Sequence, residues 1–260
     1  MPDKQQPWFA LPGHAVVAFQ GPDALAFAHA QFMNDVRPLD DGQWQWSGWL
    51  SPKGRVLALF VLLRRSPESL WLVLPDADAQ AFADALKRFV FRSKVKIEVR
   101  ADLHVSGCFG DGASCGSGGR REALISFAAS AAPTDSGMRM IRIGEEPGVD
   151  DAAAAARWKA SDLRAGIPRL PASQQDKWTP QQLSLDRLDA YSVKKGCYPG
   201  QEIVARTHFL GKAKRGLVLF TTGTGIKPGD PMPDTEGTGE VVSVATLPDG
   251  SRLAQAVAAL

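Results

Sequence analysis

The chain has 260 residues, 44% of them apolar and 22% charged, ordinary values for a globular protein with room for a sizeable core. Its 30 basic and 28 acidic residues leave a net charge of +2, which excludes the strongly basic footprint of a dedicated nucleic-acid binder. The polar N-terminus lacks the apolar core of a secretory signal, and no apolar run approaches the roughly 18–20 residues of a membrane helix.

His14 to Gln20 reads as a strand, and Gly21-Pro22-Asp23 starts a helix with Leu25, Phe27, Ala28 and Phe32 on its apolar positions. Trp44, Trp46 and Gly48 alternate with polar residues, Ser51-Pro52-Lys53-Gly54 is a turn, and Arg55 to Leu63 returns, so residues 43–63 form a hairpin. Leu70 to Leu74 is a further strand. A helix is predicted over Asp76 to Phe91, and Val95, Ile97 and Val99 mark the next strand.

From Gly107 to Arg121 the chain is glycine-rich and matches no phosphate loop, so it reads as a flexible connection. Met138 to Ile143 is a strand. An alanine-rich helix spans Asp150 to Gly166, stopped by Gly166 and Pro168, and Thr179-Pro180 opens a short helical stretch. After the strand Leu217 to Thr221, short apolar pairs separated by Gly and Pro point to a small all-β unit. Lys212, Lys214 and Arg215 make a local basic patch there, read as solvated surface.

The most informative segment is Lys194 to Arg206. Pro199 suits the first helical position, Tyr198 precedes it in extended conformation, and Cys197 then lies about one residue upstream of the helix. The helix start and Lys195 or Lys194 would favour thiolate over thiol. A lone cysteine is also a small core hydrophobe, but Gly-Cys-Tyr-Pro-Gly is too polar and kinked for a core strand. His208, eleven residues on, is about 16 Å away along a helix, too far to pair with the thiol. Glu202 and Arg206, four apart, can face each other as a surface pair or serve a ligand. Asn34 and Asp35 are candidates for capping or binding. Cys108, Cys115 and Cys197 are odd in number and lack C-x-x-C spacing, so neither a disulfide framework nor a metal site is expected, and a reduced, cytoplasmic protein is.

Lys195 to Glu202, continuing through Ile203-Val204-Ala205-Arg206, resembles the signature of the YgfZ family, folate-binding proteins related to the glycine-cleavage T-protein. Asn34-Asp35-Val36, Pro52-Lys53-Gly54-Arg55-Val56, Arg164-Ala165-Gly166-Ile167-Pro168 and Gly211 to Leu217 resemble the family's flanking patterns. Pro199 stands where the family often has threonine.

The resemblance implies an α+β, T-protein-like fold, with two intertwined domains (residues 1–105 and 106–211) and a C-terminal β-barrel (residues 212–260) around a central folate channel. It implies tetrahydrofolate as cofactor and a role in iron–sulfur cluster assembly or repair and in dependent tRNA modification, with iron–sulfur client or assembly proteins as transient partners. The functional cysteine maps onto Cys197. Folate-side positions map onto Asn34, Asp35, Lys53 and Lys195, and within the motif onto Tyr198, Gln201, Glu202 and Arg206. Three cysteines cannot supply the four thiolates of a resident cluster. The rival readings are a folate-dependent aminomethyltransferase and a non-catalytic scaffold that binds RNA or protein.

Overall fold

The computed structural model describes residues 6–110, 115, 123–127, 138–211, 213–233 and 239–260. Its elements in chain order are β1 (Phe9–Ala10), β2 (His14–Gln20), α1 (Ala24–Gln31), β3 (Trp44–Leu50), β4 (Val56–Ser66), β5 (Ser69–Pro75), α2 (Ala79–Lys87), β6 (Lys96–Val99), β7 (His104–Phe109), β8 (Ala123–Phe127) and β9 (Arg139–Gly144). Then follow α3 (Ala152–Arg164), two short 3-10 turns, α4 (Gln201–Leu210), β10 (Arg215–Thr222), β11 (Glu240–Thr246) and β12 (Arg252–Ala259).

Three antiparallel sheets result, with strand orders β3-β4-β5-β2-β6, β1-β7-β9-β8 and β10-β12-β11. The five-stranded sheet is buried on both faces, which explains the unbroken apolar run of β4. Phe60, Leu62, Leu70, Leu72 and Phe19 point to α1 and α2. Their neighbours Val61, Leu63, Trp71, Val73 and Ala18 point to the four-stranded sheet, as the two-residue period of a strand requires. A third core joins Leu50, Val56 and Leu59 to Trp178, Leu183 and Tyr198 and to Leu217 and Val257 of the C-terminal sheet.

Several expectations are corrected. The helix over Asp76 to Phe91 is shorter, because Asp76 takes a left-handed backbone (φ 58°) and Asp78 caps the helix by accepting from Ala81 N–H. The segment after Thr179-Pro180 makes turns and a single 3-10 turn at Leu185–Leu188, bounded by left-handed Ser184 and Asp189. The start of the glycine-rich stretch is strand β7, where Gly107 lets the rings of Phe9 and Trp158 approach its backbone. Gly112, Gly116, Gly118, Gly119, Lys212 and the Asp234 to Gly237 turn lie outside the described residues. The C-terminal strands form an open three-stranded sheet, and no closed barrel is found among the described residues. Cys108 and Cys115 are joined by a disulfide, 6.1 Å between Cα atoms. Spacing alone could not show this, because the pair is made by where β7 lies and not by a sequence pattern.

Helix α3 is where the layers meet. Trp158 packs into the core between the two larger sheets, while Ala160 and Leu163 pack on Ala245 and Leu253 of the C-terminal sheet. Between them Asp162 accepts from Arg139 of β9 (2.8 Å) and from Arg169 (3.0 Å). Arg169 also forks onto Asp76 beyond β5 (2.6 and 2.7 Å), and its backbone brackets the Ser243 hydroxyl of β11. Burial alone would raise the Asp76 carboxyl, but the hydrogen bonds and charge of Arg169 outweigh it and hold the group below its ordinary range. Removing one partner of such a network strands buried charge. Asp162→Ala should therefore cost about 3–5 kcal/mol, read as a lowered urea midpoint; a loss below about 1 kcal/mol would show that the sheets are not held by this carboxylate.

Candidate functional site

The motif segment is built by backbone contact between two turns far apart in sequence. The Ser51 to Gly54 turn closes with Gly54 N–H to Ser51 O (2.9 Å). Gly200 lies directly on it: a Cβ at Gly200 would stand 2.6 Å from Gly54 Cα and 2.6 Å from Ser51 O. Gly200 also has φ 75°, and Gly54 has φ 69° with Ile203 against it. Both positions therefore need glycine twice over, for conformation and for space.

That geometry corrects the helix start. Gly200 is outside the helical region, so α4 begins at Gln201 and Pro199 belongs to the preceding turn, closed by Gln201 N–H to Tyr198 O. Cys197 is exposed and carries a free thiol.

Lys195 is turned away from that surface. It is 4% exposed, and its ammonium donates to the carbonyls of His29, Phe32 and Asn34 at the end of α1, the last two at 2.5 and 3.2 Å. A cation at a helix C-terminus meets the negative end of the dipole and the unpaired carbonyls there. All three ammonium protons are thus engaged, which removes the expected pairing with Cys197. Burial lowers the Lys195 pKa to about 8, with the nearby Asp35 charge opposing the shift. The ammonium also lies 4.8 Å from the Tyr198 ring centroid. Tyr198 is buried, donates to Ser192 O, and is pushed up by that burial. Gln201 Nε2 donates back to Lys195 O (2.9 Å), closing the loop.

Asn34 is equally committed. Its amide donates to Trp46 O and Asp189 O, and its Oδ1 accepts from Asp35 N–H. Asp35 is held at a pKa of about 2 by hydrogen bonds from Arg37, and lies 3.1 Å from His29 Nδ1. Lys53, Glu202 and Arg206 are exposed. Glu202 and Arg206 form no ion pair with each other, so of the two alternatives the surface pair is absent.

None of these residues lines a cavity beside α3, which sequence reasoning missed. A cavity of about 260 Å³ opens between the start of β2, the chain beyond β5 and α3. His14, Asp76, Trp158, Lys159 and Arg169 line it, and His14 and Trp158 continue into a narrow pocket with Trp46 and Asp162. Burial, then the Arg169 charge, lowers His14 to a pKa of about 4, so its ring is neutral at physiological pH. His14 Nδ1 is shut off from solvent and has no hydrogen-bond partner. Lys159, lowered by burial, has no ion-pair partner among the described residues. The cavity thus offers one unused acceptor, one unused donor and an aromatic wall. The one signal available was that Lys159 and Asp162 stand three apart and so share a helix face next to Trp158.

Comparisons with known proteins accord with the resemblance. No family model matches the chain. It is 28% identical over 283 aligned positions to the tRNA-modifying protein YgfZ of Cronobacter sakazakii, covering 95% of this chain and 83% of that one. The YgfZ protein of Klebsiella pneumoniae is 27% identical over 270 positions, covering 94% and 82%. The chain is thus similar to YgfZ proteins along most of its length. An uncharacterized protein of Haemophilus influenzae is 29% identical over 219 positions, 84% of this chain and 74% of that one. Among solved structures, aminomethyltransferase T of the glycine cleavage system from Bartonella henselae superposes with a TM-score of 0.64 at 17% identity, covering 98% of this chain and 78% of that one. The chain therefore has a T-protein-like fold of mixed α and β content.

The glycine contact makes a direct prediction. Gly200→Ala should destabilise the protein by about 2 kcal/mol or more, from the left-handed backbone and the clash with the Gly54 backbone. An unchanged denaturation midpoint would mean that the two turns are not in contact.

Proposed function

We propose that this protein is a tetrahydrofolate-binding accessory protein that supports iron–sulfur cluster assembly or repair and the tRNA modification that depends on it. The observation that carries the reading is the cavity beside α3, with its orphaned His14 Nδ1, unpaired Lys159 and Trp158 wall, in a chain similar to YgfZ proteins. A folate ring presents N–H donors, acceptors and a flat face, and these match the three features. At about 260 Å³ the cavity is just below the roughly 300–1,000 Å³ of drug-sized sites, so it takes the ring end and leaves the tail outside. Tetrahydrofolate supplies a carrier for one-carbon units. The chain's own residues bind and orient it: neutral His14 accepts, Lys159 donates, and Asp76 and Arg169 hold the cavity in shape.

On this reading the cavity belongs to a channel between two intertwined domains and the C-terminal sheet, with boundaries near residues 105 and 211. The motif residues Asn34, Asp35, Lys195, Tyr198 and Gln201 frame the channel from behind, and Lys53, Glu202 and Arg206 border it at the surface. Cys197 acts outward. Its thiol is exposed, the other two cysteines are paired with each other, and no group of three or more metal-ligating side chains gathers among the described residues. A cluster would thus meet one thiolate here and take its remaining ligands from a partner.

Anaerobic calorimetric titration with tetrahydrofolate tests the assignment. Wild type and Cys197→Ala should bind alike. His14→Leu removes one hydrogen-bond acceptor, worth about 1 kcal/mol, and should weaken binding about fivefold. Cys197→Ala should also fail to restore iron–sulfur enzyme activity in cells lacking the protein. No heat of binding in wild type would remove the folate assignment, and full rescue by Cys197→Ala would remove the thiol's role.

A further inference from the structure

A second cavity, of about 330 Å³, lies between Arg55 at the start of the β4 return, the Thr179 to Gln182 turn, the last turns of α4 and the first residues of β10. Arg55, Lys214 and Arg215 bring three cations to its wall, and no carboxylate lines it. Unlike the cavity beside α3, it therefore has uncompensated positive charge.

The polar side chains at this wall are set as donors. Gln182 Oε1 accepts from Thr179 N–H (3.0 Å) and from Arg55 Nη1 (3.2 Å). Both partners are donors, so the oxygen end of this amide is fixed and its NH₂ end is the one left over. Arg55 Nη1 also donates to Lys177 O (2.6 Å), which anchors the guanidinium and leaves its Nε and Nη2 uncommitted. The hydroxyls of Thr179 and Thr207 donate to Gln182 Oε1 and Ile203 O. Lys214 and Arg215 are exposed and form no ion pair among the described residues.

We propose that this cavity is an oxyanion site that takes the terminal phosphate of a small phosphorylated ligand. Three positive charges and unused donors from four side chains exceed what a carboxylate, with two oxygens and one charge, can satisfy. A phosphate dianion offers oxygens in every direction and the charge to match, and guanidinium forks suit it. A polynucleotide backbone would need cations spread along a track, which a single cavity on a chain of net charge +2 does not supply.

The test is ³¹P line broadening of inorganic phosphate, and of adenosine 5′-monophosphate, by the purified full chain. Both resonances should broaden with wild type. Gln182→Glu keeps the three bonds that the side chain accepts but turns its donor into a negative acceptor, and should weaken binding at least tenfold. Lys214→Gln with Arg215→Gln, both at exposed positions, should do the same with an unchanged circular dichroism spectrum. Adenosine 5′-monophosphate binding more tightly than phosphate would assign the ligand as a nucleotide; equal binding would assign recognition to the phosphate alone. Absent broadening, or equal broadening by wild type and both variants, would overturn the site. Displacement of phosphate by an RNA oligomer without terminal phosphate, as effective as by the phosphorylated oligomer, would overturn its specificity for a terminal phosphate.

Discussion

The carboxylate of Asp162, shared between Arg139 and Arg169, is the interaction on which the rest of this structure depends. Apolar packing brings the sheets together, but it is non-directional and tolerates sliding. A carboxylate between two guanidiniums does not. It sets the rotation of α3 about its axis, and with it the direction in which Trp158 and Lys159 face. Arg169 then carries the constraint to Asp76 and, through Ser243, to the C-terminal sheet. The cost of burying these charges is met by their being fully paired with one another.

The same frame separates two kinds of chemistry. Beside α3 are enclosed, desolvated groups suited to holding a ring. At the cysteine turn almost every polar group inside the loop is spent on structure, and only the outermost ones remain for a partner. Lys195 illustrates the distinction. Its position next to Cys197 in sequence suggests activation, but its ammonium is drawn to the carbonyls at the end of α1. An exposed lysine gains little from a thiol that water also reaches, whereas a helix end offers it three acceptors at once.

Much of the architecture was legible in the sequence. The strand over His14 to Gln20, the 43–63 hairpin and the alanine-rich helix show clear periodicity and caps, and each lies where expected. Strand β7 was lost because glycines at its end look like a loop, while the use of Gly107 is to admit aromatic rings. The site divided in the same way. The cysteine motif is contiguous and thus visible, although the roles of its residues turn on contacts with residues 29–54. The cavity beside α3 draws on residues from 11 to 169, so no local pattern contains it.

The paired glycines carry a consequence for how the chain comes into being. Gly54 and Gly200 touch, and Asn34 bonds Asp189, across gaps of about 150 residues. Closing such long loops is slow compared with forming a hairpin, since chain entropy is lost before the contact returns it. On the ribosome the first turn must wait, half finished, until the second has been made and released. The thiol of Cys197 is consequently held in its final orientation only once the second turn has docked on the first, so a product that fails to close this contact would carry the cysteine without the platform that presents it.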